Sequence, residues 1–219
     1  MIYIKRFVVG DLESCCYIIT TENEKETMLI DPGGSPEKII NHCHSNNLIP
    51  GILVNTHGHG DHIGANLELR KEFPDIKIYI HADDAPMLTS EYLNLSLLGG
   101  KRYQSPPADK VLQHDDVIFF NHEEFKVIHT PGHTKGGICL LYDQPDSETP
   151  LLFSGDSLFN FGIGRTDLPG GDHESLINSI KNRLFTLNDN TVVYLGHGDS
   201  TTILKERIEN PFFMDTADI

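Results

Sequence analysis

From position 56 the chain reads Thr56-His57-Gly58-His59-Gly60-Asp61-His62. This cluster of metal-ligand side chains constrains the fold more than any other feature. The spacing i, i+2, i+4, i+5 does not line up on one helix face. It suits a tight loop, with Gly58, Gly60 and Gly64 letting the backbone wind closely. Burying three imidazoles and a carboxylate without partners costs a few kcal/mol per group. A metal ion removes that cost, and neutral imidazole with carboxylate suits Zn²⁺, Mn²⁺ or iron. Four such side chains are too many for one catalytic metal with an open position. They match half of a two-metal site.

The rest of the chain places more such groups at strand ends. Gly51–Asn55 reads as a buried strand that feeds the histidine cluster. Phe125–His129 leads into Thr130-Pro131-Gly132-His133, Leu151–Ser154 into Gly155-Asp156, and Val192–Leu195 into Gly196-His197. Strands are also expected at Ile2–Val9, Cys16–Thr20, Met28–Ile30, Lys77–Ile80, Val117–Phe120 and Ile138–Tyr142. Helical spacing covers Glu37–Asn46, Ile63–Phe73, His173–Phe185 and Thr201–Ile208. Residues 83–110 are irregular and are expected to form a surface excursion near a site. Mixed strands and helices with functional groups at strand ends predict two sheets flanked by helices in one domain.

Composition narrows the function classes. Seventeen Lys and Arg stand against 32 Asp and Glu, a net charge of −15. No basic run could neutralise a row of phosphates, so neither nucleic acid nor an anionic membrane is an expected partner. Lys5, Arg6, Asp11 and Glu13 interrupt the first 20 residues, which do not read as a secretory leader. No apolar stretch reaches membrane-spanning length. A cytoplasmic protein is expected. Cys15, Cys16, Cys43 and Cys139 lack C-x-x-C spacing and read as small buried thiols. No G-x-S-x-G elbow, nucleophile thiol motif or G-x-x-x-x-G-K loop is present. His42, His44, His81, His114, His122, His129 and His173 match no motif and read as surface or core residues, His173 capping or starting a helix.

The ordered series Ile-Asp31-Pro-Gly-Gly, Thr-His57-Gly-His59-Gly-Asp61-His62, Thr-Pro-Gly-His133, Ser-Gly-Asp156 and Leu-Gly-His197 resembles the metallo-β-lactamase fold superfamily over nearly the whole chain. The resemblance implies an α/β fold, a four-layer αββα sandwich of the metallo-β-lactamase type. It implies two divalent metal ions, with zinc favoured and iron or manganese as alternatives. His57, His59 and His133 would hold one, and Asp61, His62 and His197 the other. Asp156 would bridge them together with water or hydroxide. Asp31 either orients the histidine loop from behind or simply forms the Asp-Pro-Gly turn.

The stretch Gly155-Asp156-Ser-Leu-Phe-Asn-Phe-Gly-Ile-Gly-Arg165-Thr-Asp167 is similar to a compact bacterial glyoxalase II-like branch, hydroxyacylglutathione hydrolases without the C-terminal helical domain. One domain over residues 1–219 and a small-molecule thioester substrate such as S-lactoylglutathione follow from that resemblance. The bridging hydroxide would attack the thioester carbonyl, with Asp61 orienting it and Asp156 holding both metals. Arg165 and Asp167 either brace the loop after Asp156 or form an ordinary surface pair; Arg165 is also a candidate contact for a substrate carboxylate. Lys101, Arg102 and Lys135 are the other cations considered for an anionic conjugate. Cys15 stands where the branch commonly has Asn, and Asp199 where it has Pro. Cys15 is either an inert core thiol or a residue near the site. Two other functions on the same framework compete. One is a mono-iron persulfide dioxygenase using His57, His133 and Asp156; that branch commonly has Ala-His-Asp-Tyr where this chain has Gly-His197-Gly-Asp. The other is a lactonase. A scaffold that has lost catalysis is disfavoured by the intact ligand set. Oligomeric state has no sequence signature here.

Overall fold

A computed structural model describes residues 2–145 and 149–214. The first sheet contains β1 (Ile2–Val9), β2 (Ser14–Thr21), β3 (Glu26–Ile30), β4 (Ile49–Val54), β5 (Lys77–His81) and β6 (Lys110–Leu112), in that spatial order. β1, β2 and β3 pair antiparallel, and β3 through β6 pair parallel. Parallel neighbours need crossovers. These are supplied by α1 (Pro36–Ser45), α2 (Gly60–Ile63) with α3 (Asn66–Glu72), and α4 (Ala85–Leu88).

The second sheet contains β7 (Val117–Phe120), β8 (Glu123–His129), β9 (Ile138–Tyr142) and β10 (Leu151–Gly155), and a small hairpin of β11 (Leu158–Phe159) and β12 (Gly162–Ile163) follows it. After α5 (His173–Ser179) and a π-helical turn at Ile180–Leu184, β13 (Val192–Leu195) and β14 (Thr201–Thr202) complete the sheet in the order β14-β13-β10-β9-β8-β7. α6 (Ile203–Glu209) comes last.

Alternating side chains explain the layering. In β2, Cys15, Tyr17 and Ile19 face the other sheet, while Cys16 and Ile18 face α1 and α3. In β9, Ile138, Leu140 and Tyr142 face the first sheet, while Cys139 and Leu141 face α5 and α6. Three apolar cores therefore separate four layers, helices outside and sheets inside, as expected from the sequence.

Three helical segments depart from expectation. The predicted helix Ile63–Phe73 shrinks to α3, while Ile63 ends the separate turn α2. The break is at Gly64, where a Cβ would lie 2.4 Å from the Gly33 carbonyl oxygen. His173–Phe185 is helical but widens into the π turn after Ser179, where Phe185 N–H donates to the Ile180 carbonyl. Thr201 and Thr202 pair with Val193 and Val192 before the last helix begins, and the Thr202 hydroxyl caps it by accepting from Lys205 N–H. His173 does start a helix, with Asp172 as its N-cap.

Candidate metal centre

The seven sequence-derived ligands converge where both sheets end. His57 lies in the bend after β4 and His59 in extended backbone, whereas Asp61 and His62 sit on the single turn of α2, so the cluster is a loop running into a helical turn. His133 follows β8, Asp156 follows β10 and His197 follows β13.

His57, His59 and His133 present ligand atoms to one another, with His59 Nδ1 3.0 Å from His133 Nε2. Asp61, His62 and His197 form a second group: His62 Nε2 to His197 Nε2 is 3.3 Å, His197 Nε2 to Asp61 Oδ2 is 3.2 Å and His62 Nε2 to Asp61 Oδ2 is 3.6 Å. Ligands about 2 Å from one cation are roughly 3.3 Å apart at tetrahedral angles. Asp156 lies between the groups. Its Oδ1 is 3.4 Å from His62 Nε2, and its Oδ2 is 3.6 Å from His133 Nε2 and 3.7 Å from His197 Nε2.

Hydrogen bonds behind the rings select their tautomers. Asp31 Oδ1 accepts from Thr56 N–H at 2.7 Å, and its Oδ2 accepts from the Thr56 hydroxyl at 2.6 Å. With that hydroxyl donating to Asp31, its oxygen is the acceptor for His57 Nδ1–H, 3.2 Å away. His62 Nδ1–H donates to Asp31 Oδ2 at 3.1 Å, and His133 Nδ1–H donates to the Arg165 carbonyl at 2.8 Å. Three rings are thereby set with Nε2 bare and pointing into the centre. His57 Nε2 and Asp156 Oδ1 are buried without a hydrogen-bond partner among the described residues. Buried acceptors in that condition, ringed by other ligand atoms, fit divalent cations.

The electrostatics agree. Burial and the surrounding imidazoles hold His57 well below the ordinary histidine range and His59 at about 3, so both are neutral ligands. Burial works against a proton on His62 as well, but Asp156, Asp61 and Asp31 outweigh it and raise His62 to about 10. The carboxylates that favour positive charge at His62 would equally favour a cation at its Nε2. Burial opposes the charge on Asp61, yet His62 and His197 hold its carboxyl below the usual range.

Asp31 is therefore more than a turn former. Arg165 and Asp167 pair with each other through two 2.8 Å hydrogen bonds and are exposed; what reaches His133 is the Arg165 backbone carbonyl. Cys15 is both of the things expected of it: a fully buried core thiol, and a neighbour of the centre through its 2.7 Å backbone bond to the Gly196 carbonyl. Asp199 lies 3.0 Å from Arg6.

Sequence reasoning missed Asp84. Its buried carboxylate accepts from Gly58 N–H at 3.0 Å, Gly136 N–H at 2.7 Å and the Thr134 hydroxyl at 2.7 Å, tying the loop of His57 and His59 to that of His133. Its partners lie 26 to 52 residues away, so nothing local distinguishes it from its neighbour in the pair Asp83-Asp84. His81 and His129 also stack, 4.0 Å apart with planes 11° from parallel. Parallel rings aim their in-plane lone pairs alongside each other and not at one point, so the pair is no ligand set as it stands.

The centre opens into a cavity of about 740 Å³. Residues 94–103 of the irregular excursion form part of its wall, as expected, and the Asn94 carbonyl accepts from Gly60 N–H at 2.8 Å.

A family model described as the Metallo-beta-lactamase superfamily matches residues 9–197. Probable metallo-hydrolase YqgX of Bacillus subtilis is 36% identical over 209 residues, 95% of this chain and 96% of that protein. Hydroxyacylglutathione hydrolase GloC of Haemophilus influenzae is 36% identical over 197 residues, 87% of this chain and 89% of that protein. Among solved structures, BLEG-1 B3 metallo-beta-lactamase superposes with a TM-score of 0.90 at 37% identity, covering 97% of this chain and 100% of that one. By ordered motifs, four-layer architecture and these likenesses, the chain belongs to the metallo-beta-lactamase superfamily and is a metal-dependent hydrolase of it.

Proposed function

We propose that this hydrolase cleaves small-molecule thioesters at a dinuclear centre, as a glyoxalase II-like enzyme. The observation that carries the reading is the place of Asp156, between two complete groups of ligand atoms at the base of a substrate-sized cavity. The likeness to GloC, named a hydroxyacylglutathione hydrolase, supports the substrate class. His57, His59 and His133 would hold one cation and Asp61, His62 and His197 the other, zinc being favoured over iron or manganese. Two such cations activate water, polarise a carbonyl and stabilise a departing thiolate.

The chain's own part is to position. Asp31, Thr56 and the Arg165 carbonyl hold three imidazoles with Nε2 inward. Asp61 accepts a hydrogen bond from the attacking water and orients it. The water oxygen bonds to the acyl carbon, the C–S bond breaks, and the products are a carboxylic acid and a thiol. No side-chain nucleophile is required. A single domain in the cytoplasm, acting on a diffusible substrate, fits this role.

Metal-loaded protein is expected to hydrolyse S-D-lactoylglutathione, read as loss of thioester absorbance, and a chelator is expected to stop it. Asp156→Ala should lower metal content and abolish turnover. Full activity in that variant would refute the two-metal mechanism. Oxygen uptake with glutathione persulfide and iron-loaded protein would point instead to the mono-iron dioxygenase, and turnover of lactones with none of thioesters to a lactonase.

A further inference from the structure

Resting on the thioesterase reading, we propose that the cavity selects thioesters carrying an apolar chain, held by a leucine-rich wall beside the metal ligands. The wall is continuous with the centre: His59, Asp61, Asp156 and His197 line the same cavity as Leu12, Leu95, Leu98, Tyr103, Ile163 and Leu168. Leu12 is 67% exposed and Leu98 76% exposed, so much of this apolar surface meets water until a ligand covers it.

The wall is built in advance. The Asn94 side chain, 1% exposed, donates to the Met87 carbonyl at 3.2 Å and the Tyr103 carbonyl at 2.8 Å. The Ser96 hydroxyl accepts from Tyr103 N–H at 3.1 Å. Between these two anchors Leu95 takes φ 62°, a left-handed conformation that a leucine holds only when its surroundings impose it. The imposed conformation places a leucine, not a glycine or asparagine, on the cavity wall.

The charges point the same way. The cavity's two cationic side chains are already matched: Lys101 Nζ lies 2.9 Å from Asp11 Oδ2, and Arg165 is held on two atoms by Asp167. A substrate carboxylate would compete with these carboxylates for the same cations. A hydrocarbon chain needs no such exchange and gains up to about fourfold in binding per methylene removed from water.

The test uses S-acyl-N-acetylcysteamines from acetyl to hexanoyl, and acetyl thioesters of thiols from methanethiol to hexanethiol, with metal-loaded protein. The two arms distinguish an apolar acyl group from an apolar thiol. In at least one, kcat/KM is expected to climb stepwise, tenfold or more across the series. Calorimetry on metal-free protein supplies a second readout: S-hexyl-N-acetylcysteamine, a thioether that cannot be cleaved, should bind at least tenfold tighter than its S-methyl analogue. Leu12→Ser with Leu98→Ser should shrink both ratios severalfold. Hydrolysis of acetyl thioesters with no gain along either arm would overturn this inference and leave the thioesterase reading standing. Gains untouched by the leucine substitutions would overturn the assignment of the wall. No hydrolysis of either series or of S-D-lactoylglutathione would overturn both readings.

Discussion

Asp31 Oδ2 meets His62 Nδ1 at 3.1 Å, a contact between residues 31 positions apart in a buried layer of the molecule. The same carboxylate holds the Thr56 amide and hydroxyl. One side chain thus fixes His62 directly and His57 through Thr56. Asp31→Ala would strand buried donors at about 1–3 kcal/mol each. It should also lower metal affinity by about 10–100-fold, the usual cost of losing a group that orients a ligand. Asp31 has φ 51°, which asparagine tolerates, so Asp31→Asn should retain more stability than the alanine variant while still weakening metal binding. Denaturant unfolding and metal titration measure the two effects. Wild-type affinity in both variants would show that Asp31 does not orient the centre.

Gly33 packs against the other end of the same turn. A Cβ there would lie 1.5 Å from the Asp61 carbonyl oxygen and 2.5 Å from its carbonyl carbon. Backbone atoms cannot swing aside as a side-chain tip can. Gly33→Ala should therefore displace α2 and with it Asp61 and His62. Overpacking of this kind costs typically 1–3 kcal/mol. The expected signature is a bound-metal count falling from two towards one by elemental analysis, together with a lowered Tm. Two metals per chain at unchanged affinity would contradict it.

What could be read from the sequence follows from how local each signal is. The apolar runs Cys16–Thr20 and Ile138–Tyr142 announce strands, and the His and Asp residues after four strands announce a site at their ends. The break between Ile63 and Asn66 was not legible, because it answers to Gly33, 31 residues earlier in the chain than Gly64. Asn66 reinforces that break, its buried amide reaching Asn55 Oδ1 at 2.8 Å and Ser105 Oγ at 2.9 Å. Helical spacing over Thr201–Ile208 hides the two-residue strand Thr201–Thr202, whose partners Val193 and Val192 are visible only in the folded sheet. Asp84 escaped for the same reason.

Asp84→Ala removes an acceptor shared by Gly58 N–H, Gly136 N–H and the Thr134 hydroxyl. No other described side chain accepts from these two amides. Stability should fall by about 2–4 kcal/mol, from unpaired buried donors. Because the two loops carry His57, His59 and His133, affinity for the first metal should fall more than affinity for the second. Stepwise metal titration resolves the two. Equal loss at both sites would mean that Asp84 supports the whole fold and not one ligand group.

The thiols should be silent in the native protein. All four cysteines are buried. Burial raises Cys16 well above the ordinary thiol range and lifts Cys43 and Cys139 to about 11. A thiol with that pKa is about one part in a thousand thiolate at pH 8, and thiolate is the reactive form. The sign is plain: labelling can only accelerate as pH rises. Iodoacetamide at pH 8 should leave the folded chain unmodified by mass spectrometry and label every cysteine in urea. Rapid labelling of a native thiol would reopen the case for a cysteine near the chemistry.

Metal removal should lower stability without dissolving the fold. Three apolar cores hold the four layers, and none includes a metal ligand. The far-UV circular dichroism of chelated protein at 25 °C should therefore match that of the loaded form. The centre itself loses more. His57 Nε2 and Asp156 Oδ1 are left buried without hydrogen-bond partners, and Asp61 and Asp156 lose their counter-charge. A ligand that binds only the folded chain at about a thousandfold above its Kd contributes about 4 kcal/mol. For a chain of this size each kcal/mol shifts Tm by about 2–4 °C, so removal of each such ion should lower Tm by roughly 8–16 °C. Restoring either zinc or manganese should recover the shift in proportion to occupancy. A Tm indifferent to chelation in protein shown to carry two metals would mean that the ligand groups are equally satisfied without them, and the convergence of seven side chains would need another cause.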